Sequence, residues 1–343
     1  MIKQIVMMVA LILMTVASSL TQAGNYLQNS EMQQFMQRMV TEHKFDLSQL
    51  EQQFSQVEKK QNIIDAMSRP AERVKTWGEY REIFIKSRRI NQGVEFWKEN
   101  ADTLARAEVT FGVPAEVIVA IIGVETNYGS NKGSWRVLDA LSTLAFDYPV
   151  GDNASYVEKR KKFFTKELEN VLLLAREQKR EALSLTGSYA GAMGYGQFMP
   201  SSYRRYAIDF DGDGFIDIWD NRQDAIGSVA NYFVEHGWLR GQSVTSRARL
   251  AAEFDQSIVN LSRKDRKAKN LQLTDLNAKG FSAVDDLDGK QHASPIKLQG
   301  KQGAEFWLGL NNFYVITHYN TSIKYAMAVY QLSQEIKNEM NKS

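Results

Sequence analysis

The chain has 343 residues, of which 43% are hydrophobic and 24% charged, and a formal net charge of +2. This is a globular composition with material for two or three domains, and its charge balance argues against a nucleic-acid partner or a strongly anionic membrane surface, leaving a neutral or mixed-charge substrate. Cysteine is absent, which excludes disulfides, a cysteine-borne lipid and a thiol nucleophile together.

Lys3 precedes an apolar run from Ile5 to Ala17, followed by Ser18-Ser-Leu-Thr-Gln-Ala-Gly24. The pattern predicts a secretory signal peptide over 1–23, because thirteen apolar residues are short for a bilayer span. Met32, Phe35, Met36, Met39 and Val40 then form a helical stripe, continued by Phe45, Leu47, Leu50, Phe54 and Val57. A further helix begins near Thr76 and carries Ile83, Phe84 and Ile85, and Gly93 to Phe111 reads as one helix with Val94, Trp97, Leu104 and Ala107 inward. Residues 24–104 are thus expected to form an N-terminal helical domain.

After Pro114, expected in a first helical turn, comes Ala-Glu-Val-Ile-Val-Ala-Ile-Ile-Gly-Val-Glu125, with Asn127 and Gly129 as stop signals. No polar stripe interrupts it, so the helix should be wrapped by protein. Glu125 falls on the row of Ile118, Ile121 and Ile122. A carboxyl group there loses water around its charged form, and the resulting upward pKa shift suits a general acid. The competing reading is a structural carboxylate neutralised by Lys132 or Arg136.

Leu138 to Ala145 and Phe163 to Ala175 keep helical periodicity, with a polar stretch from Pro149 to Arg160 between them. The passage Gly187-Ser188-Tyr-Ala-Gly-Ala-Met-Gly-Tyr-Gly-Gln197-Phe-Met-Pro200 contains glycines that let backbone approach a ligand, but lacks the Gly-Lys-Ser/Thr of a phosphate loop. Gln197 between Tyr195 and Phe198 suits a sugar site. Asp209, Asp211, Asp213 and Asp217 stand at positions 1, 3, 5 and 9 of a calcium loop, with Gly214 at position 6 and the Phe215 carbonyl at position 7. Position 12 is Asp220, and Asp224 competes for the role of last ligand. A helix is expected from Asp224 to Trp238, completing a core over 105–240. Residues 241–312 read as a small β-containing insertion with a mobile basic portion around Arg263 to Lys269, and 313–343 as a return to the core ending in the helix Thr321 to Met340. The four histidines show no metal-ligand spacing, and no Gly-x-Ser-x-Gly elbow is present.

Taken together, Gly123-Val-Glu125-Thr-Asn-Tyr-Gly129, the Gly187–Tyr203 passage, the acidic loop, and Tyr319-Asn320 before Tyr325-Ala-Met-Ala-Val resemble the membrane-bound lytic transglycosylase B family, in the same order across nearly all of the mature chain. The resemblance implies an α+β, mainly α fold, with a lysozyme-like core, an additional helical domain and a small β domain. It implies cleavage of peptidoglycan between N-acetylmuramic acid and N-acetylglucosamine, leaving 1,6-anhydromuramoyl ends, with Glu125 as the one catalytic acid/base. By motif, Ser188 and Gln197 would bind sugar, and Tyr80, Tyr232, Tyr319, Asn320 and Tyr325 would line the cleft. Asp209, Asp211, Asp213, Phe215 and Asp224 would hold a structural Ca2+, the family's last ligand coming from the following helix. The acidic loop is one residue longer than the family's, Gly151 to Arg160 looks inserted, and no lipid-bearing cysteine is present. The expectation is therefore a soluble, monomeric periplasmic enzyme acting on glycan strands, with no membrane anchor after signal cleavage and no nucleic-acid partner. The rivals are a lysozyme-type hydrolase and a non-catalytic peptidoglycan-binding module.

Overall fold

The computed structural model describes residues 26–68, 75–151 and 153–342; the predicted signal segment lies outside them. The architecture is mainly helical, with two small antiparallel sheets. At its centre is the helix Ala115–Thr126, which packs against Ser87–Glu99, Ala101–Phe111, Arg222–Glu235 and Ile323–Met340. Every residue from Ala115 to Gly123 is buried, as the missing polar stripe requires. Each aliphatic side chain there contributes about 1.5–3 kcal/mol by leaving water, and truncating one such as Ile121 to alanine would cost about 2–5 kcal/mol. Gly123 is needed for packing: a Cβ there would stand 2.6 Å from the Tyr128 hydroxyl, which donates to the Arg89 carbonyl at 2.8 Å.

Pro114 occupies the N-cap rather than the first turn, its carbonyl receiving the Val117 N–H at 2.9 Å. The helix stops where Asn127 turns left-handed at φ 49°. In the preceding stretch the expected single helix is two, Ser87–Glu99 and Ala101–Phe111. The break falls at Asn100, whose side-chain amide donates to the Phe96 carbonyl at 2.7 Å and so competes with the helical ladder. Among the described residues no single helix is long and apolar enough to cross a membrane.

Strands β1 (Trp135–Arg136) and β2 (Thr186–Gly187) pair Trp135 with Gly187, anchoring the glycine-rich passage beside the central helix. The larger sheet has β3 (Thr245–Leu250), β4 (Phe281–Ala283), β5 (Ser294–Gly300) and β6 (Gly303–Gly309), in the order β4-β3-β6-β5. Ile258, Leu273, Leu276, Phe281, Ala293, Leu308 and Leu310 make a separate small core beneath it. Pro295 is tolerated in β5 because that strand is an edge, and Asn260 covers the edge through its side chain, accepting from Lys297 N at 2.9 Å and donating to its carbonyl at 3.0 Å. The basic stretch is a helix, Arg263–Lys269, capped by the Ser262 hydroxyl on Asp265 N.

Candidate active site and acidic loop

Glu125 stands on the last turn of the central helix, half-buried, and burial pushes its pKa up to about 7. Against that, the Tyr325 hydroxyl donates to Glu125 Oε1 and favours the carboxylate. Tyr325 is buried in the first turn of Ile323–Met340, whose Ser322 cap accepts its N–H at 3.4 Å. The Glu125 charge also acts on Tyr80, Tyr232 and Tyr319, so all four tyrosines anticipated from sequence lie within its field. Neither cation considered as its neutraliser takes that role. Lys132 is directed to the Trp219 carbonyl and to Asp220 at 3.1 Å, and Arg136 binds Asp139 at 2.8 Å.

The tyrosines differ in what remains free. Tyr80 is half-exposed on Trp77–Phe84, a helix opened by a Thr76/Glu79 capping box. Tyr232 is buried, stacks on His236 at 4.0 Å and donates to the His318 carbonyl at 2.8 Å, so it supports the wall with its hydroxyl committed. Tyr319 lies 4.5 Å from the Tyr232 ring, and its buried hydroxyl has no partner among the described residues. Its rim neighbour Asn320 is exposed, with the side chain folded back to accept Ser322 N at 3.1 Å.

The glycine-rich passage returns on itself through bridges from Met193 to Gly187 and to Phe198. Ser188 Oγ accepts from Ala192 N at 3.1 Å, leaving its own proton for another acceptor. Gln197 adopts φ 50° and its amide donates to the carbonyls of Lys132 and Gly194, each at 3.1 Å. Its donors are thereby held by backbone, and its side-chain oxygen is the group left to meet a ligand. Gly194 permits the approach to the acidic loop, since a Cβ there would come within 2.4 Å of the Ile218 carbonyl.

Two residues join these parts in ways that sequence reasoning did not anticipate. Thr126 is buried next to Glu125, its Oγ1 3.0 Å from the Tyr195 carbonyl while accepting Gly129 N at 3.0 Å. Tyr195 N in turn donates to the Ile218 carbonyl at 2.9 Å. Lys132 ties the segment after the central helix to Trp219 and Asp220. A hydroxyl at the end of a predominantly apolar helix was the available signal for Thr126; nothing local marked this tether of Lys132.

In the acidic loop, carboxylate oxygens of Asp209, Asp211 and Asp213 lie within 4.8 Å of one another. Asp209 accepts from Gly212 N at 2.7 Å and Gly214 N at 2.8 Å, and the Gly214 N–H is foremost in holding its pKa below the usual carboxylate range. Left-handed Gly212 and Gly214 shape the turn. A hard cation fits this all-oxygen donor set, with the carbonyl of exposed Phe215 as a further donor on the same loop. Asp224 stands outside this group of three. Fully buried, it accepts from Phe210 N and Asp217 N, each at 2.7 Å, and so braces both ends of the loop. Asp220 points to Lys132, and Asp217 to Arg180 at 3.1 Å.

A lysozyme-like helical core in which one buried helix ends on a single carboxyl of raised pKa, faced by tyrosines, defines a glycan-cleaving class of enzyme. The transglycosylase SLT domain model matches residues 27–334. The membrane-bound lytic murein transglycosylase B of Escherichia coli K12 is 44% identical over 322 residues, 91% of this chain and 84% of that protein. Among solved structures, the soluble lytic transglycosylase SltB1 of Pseudomonas aeruginosa is 52% identical, with a TM-score of 0.81 over 89% of this chain and 98% of that one. The E. coli lytic transglycosylase Slt35 in complex with calcium is 42% identical, with a TM-score of 0.80 over 93% and 96%. The chain belongs to the SLT-domain lytic transglycosylase family.

Proposed function

We propose that this protein is a peptidoglycan lytic transglycosylase that cleaves the β-1,4 bond between N-acetylmuramic acid and N-acetylglucosamine and leaves 1,6-anhydromuramoyl ends. The carrying observation is that the groups acting on the titration of Glu125 are burial and a tyrosine hydroxyl; no second carboxylate is among them in the described residues. Ordinary glycosidases need an acid and a second carboxylate as nucleophile or base. With a single acid, protonated Glu125 donates to the glycosidic oxygen as the bond to the muramic-acid C1 breaks, the electron pair leaving with that oxygen. The sugar's own C6 hydroxyl then attacks C1 and returns its proton to Glu125, so no water is consumed. Tyr325 stabilises the carboxylate between these transfers. Ser188, the Gln197 side-chain oxygen, Tyr80, Tyr319 and Asn320 would meet the saccharide, with Tyr232 behind them.

In this reading Ca2+, when bound, supplies charge neutralisation in the acidic loop, where Asp209, Asp211, Asp213, the Phe215 carbonyl and Asp224 would hold it. The calcium complex of a 42%-identical relative supports this. Residues 1–23 act as a cleaved signal, and the mature protein is a soluble periplasmic monomer divided into segments 24–104, 105–240, 241–312 and 313–343. The apolar run from Ile5 to Ala17, the lack of a cysteine to carry lipid and the separate small core beneath the larger sheet support those assignments. Mass spectrometry of fragments released from purified sacculi tests the reaction. Anhydro products, lighter by one water than hydrolysis products, are expected. Reducing muramic-acid ends would mean a lysozyme-type hydrolase, and no release a binding module.

A further inference from the structure

The helix Arg263–Lys269, Arg-Lys-Asp-Arg-Lys-Ala-Lys, carries five cations and a single acid. That acid, Asp265, is taken by the cap, accepting the Ser262 hydroxyl at 2.6 Å. Two acids of the neighbouring sheet region are paired with other cations: Asp255 binds Lys279 at 3.2 Å and Glu305 binds Arg247 at 3.4 Å. Arg266 lies over the Tyr314 ring at 3.3 Å from its centroid. Beside it is a cavity of about 260 Å³ whose lining includes Arg266, Lys267, Asn270, His292, Asn311 and Tyr314.

This basic face continues into the wall of the candidate active site. Arg263 Nη2 is 3.3 Å from His318 Nε2, and the His236 ring lies 4.7 Å from that of His318. Burial first, then His236, Arg263, Lys267 and Arg266, push the His318 pKa down to about 4. The His318 carbonyl receives the Tyr232 hydroxyl, and Tyr319 follows in sequence. A glycan strand seated at the tyrosines would therefore have a cationic surface at its flank.

We propose that Arg263, Arg266, Lys267 and the adjoining cavity form a docking surface for the carboxylates of stem peptides that branch from the glycan. The inference rests on the peptidoglycan reading above and adds to it a peptide-binding surface. Charge complementarity selects this occupant: the neutral sugars suit the tyrosine wall, whereas the peptides bring anions that guanidinium and ammonium groups can pair in partly exposed positions. Each such pair is worth about 0.2–1 kcal/mol, so two cations together should change affinity by about two- to thirtyfold.

The test uses glycan strands with their stem peptides and the same strands stripped by an amidase, measuring anhydromuramoyl ends released. The wild type should show a KM for the peptide-bearing strands at least about twofold lower, an advantage that shrinks with added salt. Arg263→Gln/Lys267→Gln, both exposed positions, should lose most of that advantage with kcat and melting temperature retained. Lys267→Gln alone supplies a second variant if the first melts early. Equal KM values for the two substrates in the wild type, or an advantage kept in both variants, would overturn the proposal. So would loss of binding to phosphatidylglycerol vesicles in the variants with the KM ratio intact, because the face would then serve a membrane. Anhydro ends from neither substrate would instead remove the underlying enzymatic reading, and this surface's role with it.

Discussion

Tyr325 and Glu125 lie 200 residues apart in the chain and share a hydrogen bond in which the phenol donates to the carboxyl group. The contact opposes burial: dehydration favours the protonated acid, and the phenol favours the anion. Tyr325→Phe should let the Glu125 pKa rise further. The basic limb of the kcat/KM profile, where the acid has lost its proton, should then move about one pH unit higher or more, given about 1.5–3 kcal/mol for a hydrogen bond to a charged group. An unmoved limb would show that the bond does not tune the acid.

Glu125→Gln should reduce turnover by about 10²-fold or more, since an amide cannot donate and recover the proton. Stability should move the other way. The folded carboxyl titrates near 7 against 4.5 in its unmodified state, so its favourable contribution is full below 4.5 and lost as pH rises through about 7. Replacing it removes a partly buried anion, and the variant should gain on the order of 1–3 kcal/mol relative to wild type at pH 8, after discounting for partial exposure, and little at pH 4. Melting curves at the two pH values check this.

Tyr319→Phe separates sugar contact from packing. The ring lies against Phe198, Tyr232 and Phe233, while the buried hydroxyl has no partner among the described residues. Phenylalanine should leave the melting temperature unchanged or raised, and kcat/KM should fall only if that hydroxyl meets the saccharide. Tyr319→Ala would cost stability through lost packing of a partly buried ring, less than the about 3–5 kcal/mol of a fully buried aromatic, and would report on the core instead. Unchanged kcat/KM in Tyr319→Phe would remove the hydroxyl from the binding set.

Calcium should raise the melting temperature, and a ligand at a hundred times its Kd stabilises the folded state by about 2.7 kcal/mol. Magnesium should substitute poorly, because it prefers a tighter shell and sheds water reluctantly. Asp213→Asn should abolish the calcium response with little change in the metal-free protein. Asp224→Ala should destabilise the protein even with chelator, by about 1–3 kcal/mol, because two loop N–H groups lose their acceptor. Equal melting curves with chelator, calcium and magnesium would rule out the site.

What the sequence determined by itself is what local order encodes. An apolar run without a polar stripe, bounded by Pro114 and Asn127, specifies a buried helix, and its spacing sets Glu125 on an apolar row. Alternating aspartates with Gly214 specify the tight acidic loop in the same way, and the glycines after Gly187 a folded-back passage. Tertiary structure decided the pairings between these segments, because side chains far apart in sequence meet only after the helices pack. It brought Tyr325 to Glu125, turned Lys132 away toward Asp220, gave Asp224 to the loop backbone, and joined Thr126 through Tyr195 to the acidic loop. Two local features were also hidden. Asn100 breaks an otherwise periodic helix through one side-chain hydrogen bond, and Ser262 caps a charged run that composition alone makes look unstructured. In each case a short polar side chain finds a backbone partner, a choice that hydrophobic periodicity does not record.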